Sequence, residues 1–273
     1  MILPTPSAEG NAMAEQGFTS SHYSNVFADH YDTWFGTSSE TADTVELLAR
    51  LAGSGPVLEL GIGTGRIALP LQARGVEVIG IDGSEAMVAR LRSKPGGQHI
   101  PVTIGDFSQV PVVGSFSLIY LAAGTFFELP SQQAQLDCFT NATRRLAPDG
   151  LFVFDANLPE TLFATQLTNG QALATDGDQL IVRYRQLDPA AQRYTSHYVI
   201  VDDGATRHLK VSFRYAAPGE LDLMAHLAGL RLKERLGGWS GARFTRSSTY
   251  HVSVYEAAAA KPSGVQARSV SMQ

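Results

Sequence analysis

Residues 57–71, "VLELGIGTGRIALPL", decide how this chain is read. An apolar run carries the carboxylate Glu59, glycines follow at alternate positions (Gly61, Gly63 and Gly65), and an apolar helical pattern comes next. A glycine turn between a strand and a helix is a cradle for a nucleotide-like ligand, because glycine keeps positive φ open and lets the backbone come close. The dinucleotide fingerprint G-x-G-x-x-G needs a third glycine for close helix–strand packing. Arg66 stands in that place, so the turn departs from the NAD type. Asp82 closes the next apolar stretch, "VEVIGID", 17 residues after Gly65. A carboxylate there can accept both hydroxyls of a ribose in either kind of nucleotide, or cap the following helix.

Working outward, "GPVLEL", "VEVIGID", "IPVTIGDF", "FSLIYLAA" and "GLFVFDAN" read as strands. Between them "GRIALPLQAR", "SEAMVARLRSK" and "SQQAQLDCFTNATRRLA" read as helices, the second with Ser84 as N-cap. Strands alternating with helices predict an α/β fold with a doubly wound, mostly parallel sheet. The near-continuous apolar strands agree, since parallel strands are buried on both faces. From about residue 170 the pattern changes. "QLIVRYRQLD", "QRYTSHYVIVDD" and "TRHLKVSFRYA", split by "DPAAQ" and "DDGA", predict an inserted antiparallel meander over residues 170–216. "PGELDLMAHLAGL" is a helix entered at Pro218, with Leu221, Met224, Leu227 and Ala228 expected on its core face. "RLKERLGGW" and "TYHVSVYEA" supply two last strands, with Trp239 as a core or loop anchor.

The chain has 273 residues, 44% hydrophobic and 17% charged, with a net charge of −5. That is the composition of a globular domain without the basic stripe a phosphate-gripping protein needs, so nucleic acid is not expected as a partner. A single cysteine, Cys138, forbids an intrachain disulfide and fits a reducing cytoplasm; its helical setting marks it as a buried small hydrophobe. No stretch approaches the roughly 18 apolar residues of a membrane span, and no membrane partner is expected. Residues 1–17 read as a mobile leader, 18–260 as the domain and 261–273 as a mobile tail.

"ELGIGTG", "GID", "GDF", "LAAGT" and "LAPDGLFVFD", in this order over roughly residues 55–160, resemble the class I S-adenosylmethionine-dependent methyltransferases. The resemblance implies a seven-stranded Rossmann-like sheet with its last strand reversed. It implies that Glu59 and the backbone of Gly61, Gly63 and Gly65 hold the methionine part of S-adenosylmethionine. By the same resemblance Asp82 is expected to bind the ribose, with Gly83, Ser84 and Met87 beside it, Asp106 to take the adenine amino group with Phe107 by the ring, and the Leu121–Ala122 backbone to face the ammonium. S-adenosylhomocysteine is then the product. Carboxylates suit a ligand that carries an ammonium and a sulfonium.

"HYDTWF", within the cap segment 18–50, is similar to the Y-D element of small-molecule methyltransferases, whose N-terminal helices close over the cofactor. Tyr23 and Tyr31 are candidate catalytic hydroxyls and Trp34 a candidate acceptor contact, although Phe27, Tyr31 and Trp34 also read as a core-facing stripe. His197 is the meander's candidate base. Phe126, Phe127 and Glu128 past strand four, and Asn157 past strand five, lie where acceptors bind in this family. "AAGTFFELP" lacks the N/D-P-P-Y element of enzymes that methylate nucleobases or glutamine, and Asp155 with Asn157 does not make a metal-ligand set. The arrangement is similar to bacterial amino-deoxysugar N-methyltransferases. It implies methyl transfer to a small-molecule acceptor, at nitrogen before oxygen or carbon, with a homodimer formed through the inserted strands. Cyclisation of the cofactor's aminobutyrate arm, or a module that senses the cofactor without turnover, are the alternatives.

Overall fold

Parallel strands buried on both faces need apolar side chains at successive positions, and that requirement organises the computed structural model, which describes Ala28 and residues 31–35, 39–166, 171–173, 180–202 and 205–258. In chain order the elements are α1 (Tyr31–Phe35), α2 (Ser39–Leu51), β1 (Val57–Leu60), α3 (Ala68–Ala73), β2 (Val78–Asp82), α4 (Glu85–Ser93), β3 (Val102–Ile104) and β4 (Phe116–Leu121). There follow α5 (Gln132–Thr143), β5 (Leu146–Asn157), α6 (Pro159–Gln166), β6 (Gln171–Leu173), β7 (Leu180–Asp188), β8 (Arg193–Asp202), β9 (Ala205–Arg214), α7 (Pro218–Leu227), β10 (Leu230–Leu236) and β11 (Tyr250–Ala257). The leader, most of the 18–30 segment and the tail lie outside the described residues.

Seven strands form one sheet in the order β10-β11-β5-β4-β1-β2-β3. The pairs from β5 to β3 are parallel. β11 runs antiparallel to both β5 and β10, so it is the reversed strand that the sequence implied. Alternation along each strand feeds two layers. Leu58, Leu60, Ile119, Leu121, Phe152 and Phe154 pack with Cys138 and Phe139 of α5 and Leu221 and Met224 of α7. Val57, Leu118, Tyr120, Leu151 and Val153 pack with Leu48 of α2, Leu71 of α3 and Leu91 of α4. Because strand order turns around between β1 and β4, the loops at their carboxyl ends diverge to opposite faces and leave a crevice for a ligand.

The inserted strands form a second, antiparallel sheet, β6-β7-β8-β9. Its β7–β8 hairpin is set by Asp188, whose Oδ1 accepts from the N–H groups of Ala190 and Ala191. One row of side chains faces the body: Ile181, Tyr198, Ile200 and Val211 pack with Ala28 and with Met87 of α4. Arg214 anchors the last strand. By alternation along β9 it falls in the polar row of His208, Lys210 and Ser212, opposite Leu209, Val211 and Phe213, where solvent exposure would be expected. It is buried instead, with its guanidinium bonded to Gln135 of α5, Gln192 and Glu220 of α7. Leu227 also departs from expectation. Leu221, Met224 and Ala225 are buried, but Leu227 is 66% exposed, because a position six residues after Leu221 falls well off its face at 3.6 residues per turn.

Gly65 has φ +77°, and a Cβ there would meet the buried Leu91 side chain at 2.3 Å. A left-handed L-residue costs roughly 1–2 kcal/mol before crowding. Gly65→Ala is expected to destabilise the protein by about 2 kcal/mol, lowering Tm by about 4–8 °C for a domain of this size. Thermal unfolding with unchanged Tm would show that the turn does not need its glycine.

Candidate active site

Alternation along β1 sends Glu59 into the layer opposite Leu58 and Leu60, next to Tyr120 of β4. Glu59 is buried, and its Oε2 accepts from the Tyr120 hydroxyl at 2.8 Å. Burial raises its carboxyl to about 8, against the pull of the Tyr120 hydrogen bond and the Arg66 guanidinium. Asp82 ties two turns together: Oδ2 accepts from the Gly63 N–H at 2.7 Å and Oδ1 from the Ser84 N–H at 2.8 Å. Burial raises its pKa, opposed by those two backbone donors. Each oxygen keeps a second acceptor site, as gripping a ribose requires. Ser84 is the N-cap of α4, accepting from the Met87 N–H at 3.1 Å. Gly63 has φ +55° and nothing within 4 Å of where a Cβ would be, so the loop offers open space beside the carboxylate. Asp106 sits exposed in an Asx turn, accepting from the Ser108 N–H, while Phe107 is buried close to Gly61. Leu121 and Ala122 are buried at the end of β4. Desolvated carboxylates converging on a glycine loop fit a ligand that brings positive charge, which S-adenosylmethionine does at both its ammonium and its sulfonium.

The N-terminal cap is fastened to this loop. Asp32 of α1 accepts from the Thr64 hydroxyl at 2.6 Å and pairs with Lys94 at 2.6 Å, and Lys94 donates to the Thr64 carbonyl at 2.7 Å. Thr64 belongs to the glycine turn itself. Arg66, in the slot of the missing third glycine, donates to Thr41 of α2 at 2.7 Å. Burial raises the neighbouring Tyr31 hydroxyl to about 12, with Arg66 opposing and Glu128 and Glu59 reinforcing. Tyr31 is therefore brought to the site. Tyr23 and the Trp34 side chain lie outside the described residues. Sequence reading missed the roles of Asp32, Lys94 and Arg66; the Y-D pair was the signal that pointed at Asp32.

Two sets of candidates are not brought to the site. His197 stacks on Tyr184 with ring centroids 4.4 Å apart, and its Nδ1 lies 3.0 Å from Nε2 of His208. Its neighbours Ser196 and Tyr198 occupy the body-facing row, so period-two alternation puts His197 on the sheet's other face. Phe126 and Phe127 have no exposed surface. The short 3-10 turn Thr125–Glu128 winds them inward, and Phe126 stacks on Phe154 with centroids 4.4 Å apart. Glu128 instead stays half-buried at the end of that turn, and burial raises it to about 8. Asn157 is half-buried at the end of β5. Asp155, two residues earlier, accepts from the Gly124 N–H with both oxygens, and burial raises it to about 7. Ala123 and Gly124 hold positive φ, which aims that N–H at the carboxylate.

Asp82→Ala is expected to weaken S-adenosylmethionine binding roughly ten- to a hundredfold. Hydrogen bonds to charged groups are worth about 1.5–3 kcal/mol, and about 1.4 kcal/mol is tenfold; calorimetry showing unchanged affinity in a folded variant would remove Asp82 from the site. Glu59, Glu128 and Asp155 are raised on folding, so their protonated forms favour the fold, and that contribution is lost as pH rises through their folded values. Without ligand, the protein should melt at progressively lower temperature from about pH 5 to about pH 8.5, and Glu59→Gln should flatten the slope. A melting temperature that climbs with pH over this window would contradict the assignment.

A family model described as "Methyltransferase domain" matches residues 57–150, from β1 into β5. The CcbJ methyltransferase from Streptomyces caelestis superposes with a TM-score of 0.82 and 35% identity, covering 89% of this chain and all of that one. A cypemycin N-terminal methyltransferase from a Streptomyces species is 24% identical over 204 residues, 73% of this chain and 82% of its own length. CalS10, a Micromonospora echinaspora amino pentose methyltransferase solved with S-adenosylmethionine bound, shares the fold at TM-score 0.62 and 19% identity, over 84% of this chain and 95% of its own. A glycine turn braced by Asp82, a buried carboxylate on β1, a reversed β11 and this similarity over most of two chains lead to one assignment: the protein is an S-adenosylmethionine-dependent methyltransferase.

Proposed function

We propose that the enzyme methylates the nitrogen of a small-molecule amine. The observation that carries this reading is the gathering of three carboxylates at the carboxyl ends of β1, β4 and β5: Glu59 and Asp155, both buried, and the half-buried Glu128, all raised by burial. Such a lining favours cations over neutral alcohols. The cypemycin relative, named for methylation of an amino terminus, supports the same class of acceptor. The meander's candidate base, His197, faces away from the crevice, on the sheet's other face.

The bound cofactor supplies a methyl group on a sulfonium leaving group. The chain's residues supply position and exclusion. Asp82 and the glycine turn fix the ribose end, and Glu59 offers negative charge to the amino-acid end. α1, latched through Asp32, closes one side, with the Tyr31 hydroxyl directed at the crevice. The body-facing row of the inserted sheet, with Tyr194 and Tyr198 buried in it, closes the other. An acceptor held in line at about 3–3.5 Å between these walls gains most of its rate from alignment. The reading includes a cytoplasmic enzyme and pairing of two copies through the outer face of the inserted sheet, where Leu180 and Tyr184 are exposed.

The test is a labelled-methyl screen against amino sugars, amino-acid amides and dipeptides beside their hydroxyl counterparts, read by mass spectrometry. Amines should gain one methyl group on nitrogen. Label found on oxygen or carbon alone would overturn the nitrogen assignment, and loss of cofactor without any acceptor would favour cyclisation.

A further inference from the structure

Glu128 closes the 3-10 turn Thr125–Glu128, and the turn is rigid because Phe126 and Phe127 before it are fully buried. The turn abuts the cofactor loop: the Thr125 methyl stands 2.7 Å from where a Gly61 Cβ would be. From the elements around it, Glu128 is faced by charged and titratable groups: Tyr31 of α1, Asp82 at the end of β2 and Tyr194 of β8. Arg183 and Arg185 lie beyond Tyr194, and the Arg185 guanidinium sits 5.7 Å over its ring. The other carboxylates of the crevice have partners: Glu59 has Tyr120, Asp82 has Gly63 and Ser84, and Asp155 has Gly124. The Glu128 carboxylate has neither a hydrogen bond nor an ion pair among the described residues; desolvation and the neighbouring Asp82 charge are all that act on it. A half-buried carboxylate without a partner, set beside the Asp82 charge, gains from a ligand that brings a cation.

We propose that Glu128 receives the acceptor's ammonium, takes one proton from it, and so leaves a neutral nitrogen facing the cofactor's methyl group. The inference rests on the nitrogen reading above and names the residue that makes it work. An ammonium has no lone pair and cannot attack. The N–H bond breaks toward a Glu128 oxygen, and the freed lone pair forms the N–CH3 bond as the S–CH3 bond breaks, its electron pair remaining on sulfur. The methylated nitrogen leaves as an ammonium, and the proton on Glu128 passes to solvent, one proton per methyl group transferred. A carboxyl raised to about 8 has a proton affinity suited to exchange with an amine near neutral pH. The Tyr31 and Tyr194 hydroxyls, both raised by burial, stay neutral there and border the path.

The test compares wild type, Glu128→Gln and Glu128→Asp, using the best amine from the acceptor screen. Glu128→Gln should lower kcat/KM by about a hundred- to ten-thousandfold. It should also abolish the limb of the pH profile that rises toward pH 8 in the wild type. Glu128→Asp should restore part of the rate and keep a limb. S-adenosylhomocysteine affinity should be the same in all three. A second arm needs no acceptor: sinefungin, which carries an ammonium where the cofactor carries its methyl sulfonium, should lose at least tenfold in affinity relative to S-adenosylhomocysteine in Glu128→Gln. Near-wild-type kcat/KM with an unchanged pH profile, or an unchanged sinefungin ratio, overturns the role of Glu128 while leaving nitrogen methylation standing. Equal weakening of both ligands overturns it as well, making Glu128 a cofactor contact. A wild type that methylates only oxygen or carbon overturns the nitrogen reading and this inference together.

Discussion

Everything at the crevice follows from placing carboxylates out of water at the carboxyl ends of parallel strands. The buried Glu59, Asp82 and Asp155 and the half-buried Glu128 come from four segments far apart in sequence, and the Arg66 guanidinium stands among them. Taking such groups out of water is unfavourable by several kcal/mol each unless hydrogen bonds and opposite charge offset it. The fold offsets part of this: Tyr120 donates to Glu59, two backbone N–H groups donate to Asp82, and one donates to Asp155. The remainder is met by the positive charge of the cofactor and, on the reading proposed above, of the acceptor. A site built this way is selective through what it lacks when empty.

The same bonds that offset burial also fix shape. Asp82 accepts from Gly63 in one loop and Ser84 in the next, so the carboxylate proposed to bind the ribose is also the brace of the glycine turn. Thr64 offers its hydroxyl to Asp32 and its carbonyl to Lys94, so the cofactor loop and the cap share one polar cluster. Arg66 reaches Thr41 of α2 from the position where a dinucleotide fold keeps a glycine for packing. Shape of the loop, closure of the cap and charge of the crevice are thus coupled through few residues.

The half of the fold around the glycine turn was legible because its signals are local. Continuous apolar strands, alternate glycines, a serine before an amphipathic run and a carboxylate at a strand end each carry their own physical reason. The acceptor half was not, because its geometry depends on parity and packing. Along β8 both rows are mixed in polarity, and nothing in the order of letters says whether His197 or Ser196 faces the body; pairing with β7 and β9 decides it. Past β4 the chain winds into a 3-10 turn, which turned Phe126 and Phe127 into core and left the less conspicuous Glu128 at the crevice. Arg214 looked like a solvated strand residue because its partners, Gln135 and Glu220, belong to helices distant in sequence. Asp32 was visible only as half of a familiar pair.

The placement of β11 has a consequence for how the chain is made. β5 is complete at Asn157, but the strand that covers its outer edge ends only at Ala257, about a hundred residues later. At roughly 5–20 residues per second, a nascent chain carries that open edge for several seconds or more, with Phe152, Val153 and Phe154 in the strand concerned. Unpaired apolar edges are templates for association with other chains. The inserted sheet and α7 are synthesised in that interval, so early docking of α7 against α5 would shield one face of β5 before its last neighbour arrives.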